Sequence, residues 1–178
     1  MRKSVYFILL VFLLLTSCDS THMYDTSDLI KCELVNVVDG DTLAVIYDDE
    51  ITKVRLIGID TPESVHVDET KNTELGKIAS EYTQELLADV EYVYLEFDTS
   101  MYDEYDRLLA YVYLSDEQAF EESLNYILVN AGYAVNKEFA PNMQHAKELA
   151  TACEVAKTNE NGLWKVKGVE NVFGKFTR

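Results

Sequence analysis

Between Leu29 and Ile59 the chain carries three runs rich in Val and Ile, separated only by short polar breaks. Leu29 to Val38, Thr42 to Tyr47 and Thr52 to Ile59 alternate or run apolar in the manner of β-strands. Asp39-Gly40 and Asp48-Asp49-Glu50 supply the turn chemistry between them. Downstream, Asn72 to Asp89 places Leu75, Ile78, Ala79, Tyr82, Leu86 and Leu87 at helical spacing. Tyr92 to Phe97 and Leu108 to Leu114 return to strand character around an acidic loop, Asp98 to Arg107. One further helix carries Phe120, Leu124, Ile127, Leu128 and Ala131 and ends near Gly132. Another follows Pro141-Asn142, carries Ala146, Leu149, Ala150, Cys153 and Ala156, and stops before Asn161-Gly162. Three strands, a helix, two strands and two helices fit a five-stranded oligonucleotide- or oligosaccharide-binding (OB) barrel, an α+β arrangement with about three packed α-helices. An open α+β sandwich fits the same order.

The amino terminus reads as a targeting segment outside the fold. Arg2 and Lys3 precede an apolar run, Val5 to Leu15, that is too short to span a bilayer comfortably. Leu15-Thr16-Ser17-Cys18 resembles the lipobox of bacterial lipoproteins. That resemblance implies a signal peptide over residues 1–17, cleavage before Cys18, lipidation of its thiol, and attachment to the outer face of a membrane. An ordinary signal peptide or an uncleaved anchor is the alternative. Residues 18–28 form a polar tether, residues 29–164 one domain, and residues 165–178 a locally basic tail without clear periodicity. Cys32 and Cys153 are expected as buried free thiols, although export would permit a disulfide between them.

Charge bears on the partner. The chain has 15 basic and 32 acidic residues, a formal charge of −17, and loss of Arg2 and Lys3 leaves 13 against 32, or −19. Such a surface repels a polyanion, whereas nucleic-acid binders gain affinity from displaced counterions. Any activity on nucleic acid therefore has to rest on a local cationic site.

Chemistry gathers between Val38 and Glu63. Val38-Asp39-Gly40-Asp41-Thr42, Arg55 and Asp60-Thr61-Pro62-Glu63 stand where the apolar pattern breaks. Acids able to hold a hard cation, an arginine able to hold a phosphate and a spare glutamate are the parts of a metal-assisted phosphodiesterase. On spacing alone, a hairpin turn at Asp-Gly and a helix start at Thr-Pro-Glu account for the same residues.

The motifs together resemble the staphylococcal nuclease family, calcium-dependent phosphodiesterases on an OB-fold. The likeness runs from about Leu34 to Trp164. It is carried by Val38 to Thr42, Arg55, Ile59 to Glu63, Gly76 with Ala79, and Asp103 to Tyr111, with Asn125, Pro141-Asn142 and Gly162 to Trp164 extending it. The resemblance implies Asp41 and Asp60 as carboxylate ligands of Ca²⁺, with the Thr61 main-chain carbonyl as a third. It implies Arg55 and Arg107 on the scissile phosphate, Glu63 handling the attacking water, and Tyr105 as a donor to substrate phosphate. The implied activity is cleavage of DNA and RNA, single strands preferred, leaving 3′-phosphates, by a monomer. Asp39 is assigned to the turn rather than to metal.

Four departures bear on activity, one being the loop Ser64 to Thr73, which lacks most of the lysines familiar there in the family. Asp106 stands where the family usually has glycine before the second arginine, and its carboxylate could draw Arg107 away from substrate. Glu104 replaces a lysine of the best-known member. Lys137 and Phe139 replace a tyrosine pair near the base pocket, where Phe139 can still stack on a base. A weakened lipoprotein that binds without cleaving is therefore the alternative, and a structural lipoprotein without ligand a third reading. His22, His66 and His145 lack any ligand spacing and are expected to be solvated, while Tyr82, Tyr111 and Tyr113 are expected to pack in the core.

Overall fold

A computed structural model describes residues 29–64, 73–117 and 119–173. The expected signal peptide, Cys18, the tether, His22, His66 and residues 174–178 lie outside the described residues. Strands β1 (Ile30–Asp39), β2 (Thr42–Tyr47), β3 (Glu50–Leu56), β5 (Tyr92–Glu96) and β6 (Leu108–Tyr113) close into a barrel in the order β1-β2-β3-β6-β5. All its pairings are antiparallel except β3 with β6, where Val54, Arg55 and Leu56 face Leu108, Leu109 and Ala110 in parallel. The barrel, rather than the open sandwich, is what the chain forms.

Local chemistry explains the closure. The β2–β3 hairpin turns on Asp48 and Asp49, both at positive φ (50° and 66°), the conformation that matches strand twist in a two-residue turn. β1 pairs with β5 through Ile30 to Glu33 and with β2 through Glu33 to Asp39. Register shifts between Leu34 and Asn36 and between Val37 and Asp39 bend it enough to serve both. Val45, Val54, Val93, Leu95, Leu108 and Val112 are fully buried in the core.

The third strand ends earlier than its apolar run. Gly58 takes φ +78°, and Ile59–Asp60 leaves the barrel as β4, which pairs with a two-residue strand β7 (Val135–Asn136). No sequence pattern marks β7. The turn brings Asp60 back to Arg55, whose Nη2 lies 2.8 Å from its Oδ1.

Helix α1 (Glu74–Leu86) starts at Thr73, whose side chain accepts the Gly76 N–H. Of the expected stripe, Ala79 and Leu87 are buried and Leu75, Tyr82 and Leu86 pack half-buried against the core. Gly76, Ala79, Ser80 and Thr83 face inward, whereas Ile78 is exposed. Small residues are required because this helix lies against backbone: a Cβ on Gly76 would stand 2.0 Å from the Glu63 carbonyl oxygen. Thr83 Oγ1 donates to the Gly40 carbonyl at 2.8 Å, tying the helix to the first turn.

The Phe120 segment divides into a 3₁₀ turn (Phe120–Glu122) and α2 (Leu124–Asn130), because Ser123 caps the latter by accepting from Tyr126 N–H. Helix α3 (Ala146–Thr158) packs Leu149, Ala152, Cys153 and Ala156 inward. Cys32 and Cys153 are free and buried, as expected. Beyond Trp164 a short helix, α4 (Val169–Phe173), buries Val169 and Phe173, so hydrophobic packing extends into the stretch expected to lack periodicity.

His145 overturns the expectation of a solvated ring. It is 1% exposed, lies flat on Phe120 with centroids 3.7 Å apart, and sets Nε2 3.3 Å from the Glu96 carboxylate. Tyr113 OH also donates to Glu96. Burial raises the Glu96 carboxyl, but the hydrogen bonds from His145, Tyr113 and Gln144 outweigh it and hold the group below its ordinary value. Tyr111 and Tyr113 are core residues, and Tyr82 stacks on Tyr133 at 3.9 Å.

Candidate active site

The Asp39-Gly40 turn, the end of β3, β4 and the chain after β7 meet at one end of the barrel around a cavity of about 300 Å³. Asp39, Asp41, Arg55, Asp60, Glu63, Arg107, Lys53, Lys137 and Phe139 line it. Its four acids and four bases balance, in a chain whose formal charge is −17. The side chains therefore make the cavity neutral within an acidic chain, not the local cationic site that the charge argument requires.

Arg55 is the centre of the arrangement. Its side chain is 7% exposed, and Nη2 lies 3.0 Å from Asp41 Oδ2 and 2.8 Å from Asp60 Oδ1. Nη1 donates to the Leu56 carbonyl at 2.9 Å, and the Phe139 ring lies 5.3 Å from the guanidinium carbon. Asp41 Oδ2 also accepts the Thr61 N–H at 2.9 Å, and Oδ1 accepts Thr42 Oγ1 at 3.1 Å. Asp60 Oδ1 takes a second cation, Lys137 Nζ, at 3.2 Å. Burial and the neighbouring Asp41 carboxylate nonetheless outweigh Arg55 and Lys137, so the Asp60 carboxyl lies above its ordinary value.

Next to Asp39, Glu63 lines the same cavity. The Thr73 N–H donates to its carbonyl at 2.9 Å, so the start of α1 holds its backbone. Burial, then the charge and hydrogen bond of Asp39, push its carboxyl up to about 7, with Asp41 adding to the rise and Arg55 opposing it. The sequence alone places a glutamate near ~4.3, a weak base at neutral pH, and the fold corrects that. Asp39 supports the turn as expected: Oδ1 accepts the Gly40 N–H at 2.8 Å and the Ser64 hydroxyl.

Arg107 reaches the cavity from the loop before β6, but not freely. Its Nε lies 2.7 Å from Asp103 Oδ2, and its N–H donates to Asp103 Oδ1 at 3.0 Å. The competing carboxylate is therefore Asp103, not Asp106. Asp106 is exposed and takes φ +59°, the left-handed conformation for which the family's glycine is suited and which Asp tolerates better than most side chains. Burial raises Asp103, but hydrogen bonds from Arg107 and the Tyr105 N–H more than offset it and leave the carboxyl below its ordinary value. Tyr105 is 70% exposed, with its ring 5.5 Å from the Arg107 guanidinium, and stands outside the cavity lining. Asn142 joins this loop to the Pro141 turn through two bonds to Ser100, at 2.7 and 2.9 Å.

The donor set suits a hard cation. Two buried carboxylates already share one cationic nitrogen, and Thr61 Oγ1 beside them is buried without a hydrogen-bond partner. Among the described residues no group of three or more His, Cys, Asp or Glu side chains is placed to hold a metal. A cation here would depend on Asp41, Asp60, the Thr61 carbonyl and water. Lys53, Asp103 and Lys137, the last as partner of Asp60, are the participants whose roles sequence reasoning missed. Lys53 was legible, standing two residues from Arg55 on the same strand face.

A closed five-stranded barrel with buried arginine and carboxylates at one end defines a small OB-fold protein with a charged, polar cleft. Residues 53–166 match the staphylococcal nuclease homologue family. The thermonuclease of Staphylococcus intermedius is 36% identical over 146 residues, covering 82% of this chain and 80% of its own. The thermonuclease of Staphylococcus hyicus is 34% identical over 132 residues, 74% of each chain. Endonuclease YncB of Bacillus subtilis is 30% identical over 148 residues, 83% of this chain and 67% of its own. The chain belongs to the staphylococcal nuclease family.

Proposed function

We propose that the protein is a calcium-dependent phosphodiesterase that hydrolyses DNA and RNA, prefers single strands and leaves 3′-phosphate products. The observation that carries this reading is the convergence of Asp41, Arg55, Asp60, Glu63 and Arg107 on one cavity. Arg55 and Arg107 present paired, permanently charged donors to the oxygens of the scissile phosphate, and their hold strengthens as charge develops there. Glu63 orients the attacking water and, when ionised, accepts its proton. The bond from phosphorus to the 5′-oxygen breaks, and that oxygen takes a proton from solvent and leaves as a hydroxyl. Phe139, beside Arg55, offers a base an apolar face, and Tyr105 a hydroxyl at the outer edge. Asp41, Asp60 and the Thr61 carbonyl would hold Ca²⁺, which, when bound, polarises the phosphoryl group and offsets its developing charge.

Lipidation of Cys18 and display on the outer face of the membrane complete the proposal, supported by the Leu15-Thr16-Ser17-Cys18 pattern. Cleavage of single-stranded DNA with and without Ca²⁺, for wild type and Glu63→Gln, tests the chemistry. The expected result is calcium-dependent hydrolysis that falls at least a hundredfold in the variant, within the ~10²–10⁴-fold typical of a positioned acid or base. Equal activity of the two proteins would remove Glu63 from the mechanism.

One observation favours a second reading, a binding module that no longer cleaves. Both arginines are held by carboxylates, Arg55 by Asp41 and Asp60 and Arg107 by Asp103. Calcium-stabilised protein that retains an oligonucleotide intact would establish that reading.

A further inference from the structure

Asp60 Oδ1 is shared by two cations of very different freedom. Arg55 is locked: its side chain is 7% exposed, bonded to Asp41, Asp60 and the Leu56 carbonyl. Lys137 is not. Its side chain is 32% exposed, and its ion pair with Asp60 spans 3.2 Å at the end of a flexible aliphatic stem. Its backbone, by contrast, is fixed, because Lys137 N–H donates to the Gly58 carbonyl at 2.8 Å directly after β7 pairs with β4. The ammonium is thus tethered beside Asp60 yet able to leave at little cost.

A backbone ladder already joins β4 to β7, so the ion pair is not needed to hold the strands together. It does balance charge. Asp41 and Asp60 place two buried carboxylates against one guanidinium, and Lys137 supplies the second positive charge. A divalent cation held by the same two carboxylates would bring that charge itself and make the ammonium redundant.

We propose that Lys137 is a built-in competitor of the metal ion: it neutralises Asp60 while no divalent cation is bound and must be displaced for one to bind. The competition raises the Ca²⁺ concentration at which the site fills, so Lys137 sets the metal threshold of the protein. This rests on the calcium-dependent reading given above.

Calorimetric titration of Ca²⁺ into the protein without substrate tests it, using wild type, Lys137→Met and Lys137→Arg. Lys137→Met should bind Ca²⁺ about five- to tenfold more tightly than wild type, the scale of one partly exposed ion pair. Lys137→Arg, which keeps the charge, should stay within about twofold of wild type. A merely structural lysine would leave affinity unchanged or lower it on removal, and either result overturns the proposal while sparing the calcium reading. Calcium uptake by Lys137→Met alone would support the competition and count against calcium dependence of the wild type over the concentrations titrated. If all three proteins melt cooperatively and none takes up Ca²⁺, the calcium reading falls and the proposal with it.

Discussion

At the scale of single residues, the fold redistributes charge that composition only totals. Glu63, pushed up to about 7, binds a proton in the folded chain over a range where the unfolded chain, titrating near ~4.3, has lost it. Its contribution to stability is therefore fully present below the unfolded value and is lost as pH rises through about 7. Denaturant midpoints of wild type and Glu63→Gln should lie close together near pH 4 and separate above neutrality, with the variant the more stable. Activity should run the other way in the wild type, rising through about pH 7 as the carboxylate forms, a limb that Glu63→Gln lacks. The loop before β6 yields a second prediction. Asp106→Gly relieves a left-handed residue and should add up to about 1 kcal/mol of stability while changing activity less than twofold. Asp103→Asn keeps an acceptor for the loop N–H groups but releases the Arg107 guanidinium, and should lower KM for a single-stranded oligonucleotide.

At the scale of elements, the site depends on α1 fitting against backbone. Gly76 admits the helix to the Glu63 carbonyl, and Thr73 fastens that carbonyl through its N–H. Gly76→Ala should cost about 1–3 kcal/mol in chemical denaturation and reduce cleavage more than the lost stability explains, because relief of the clash displaces Glu63. Helix periodicity located α1 and most of its packed face, since Leu75, Ala79, Tyr82, Leu86 and Leu87 all meet the core. Ile78 alone of that stripe is exposed, and close approach to the Gly40 turn adds Gly76, Ser80 and Thr83 to the buried face. β4 could not be separated from β3 by pattern, since Ile57 and Ile59 continue the apolar run past Leu56 and only the positive φ of Gly58 divides them.

At the scale of the whole molecule, a formal charge of −17 surrounds a cavity whose own charges cancel. Long-range repulsion of a polyanion is screened over ~8 Å at physiological ionic strength, so moderate salt should help encounter rather than hinder it. The kcat/KM for a short oligonucleotide should rise as monovalent salt increases to about 0.15 M at saturating Ca²⁺, opposite to the fall expected of a basic nuclease. A steep monotonic fall would mean that local phosphate contacts, not the acidic surface, govern association.

The order of the five barrel strands and of α1, α2 and α3, and the turns at Gly40 and at Asp48-Asp49, were determined by sequence alone, because each rests on local periodicity or on a short motif. Most of the cavity residues were legible only through the family resemblance. Tertiary structure decided what those residues face. It raised Glu63 by burial beside Asp39, gave Arg107 to Asp103 instead of Asp106, buried His145 against Phe120 and Glu96, and brought Lys137 to Asp60 through a strand of two residues. Each outcome depends on distances between segments remote in the chain or on loop backbone geometry, and neither is written in any local pattern.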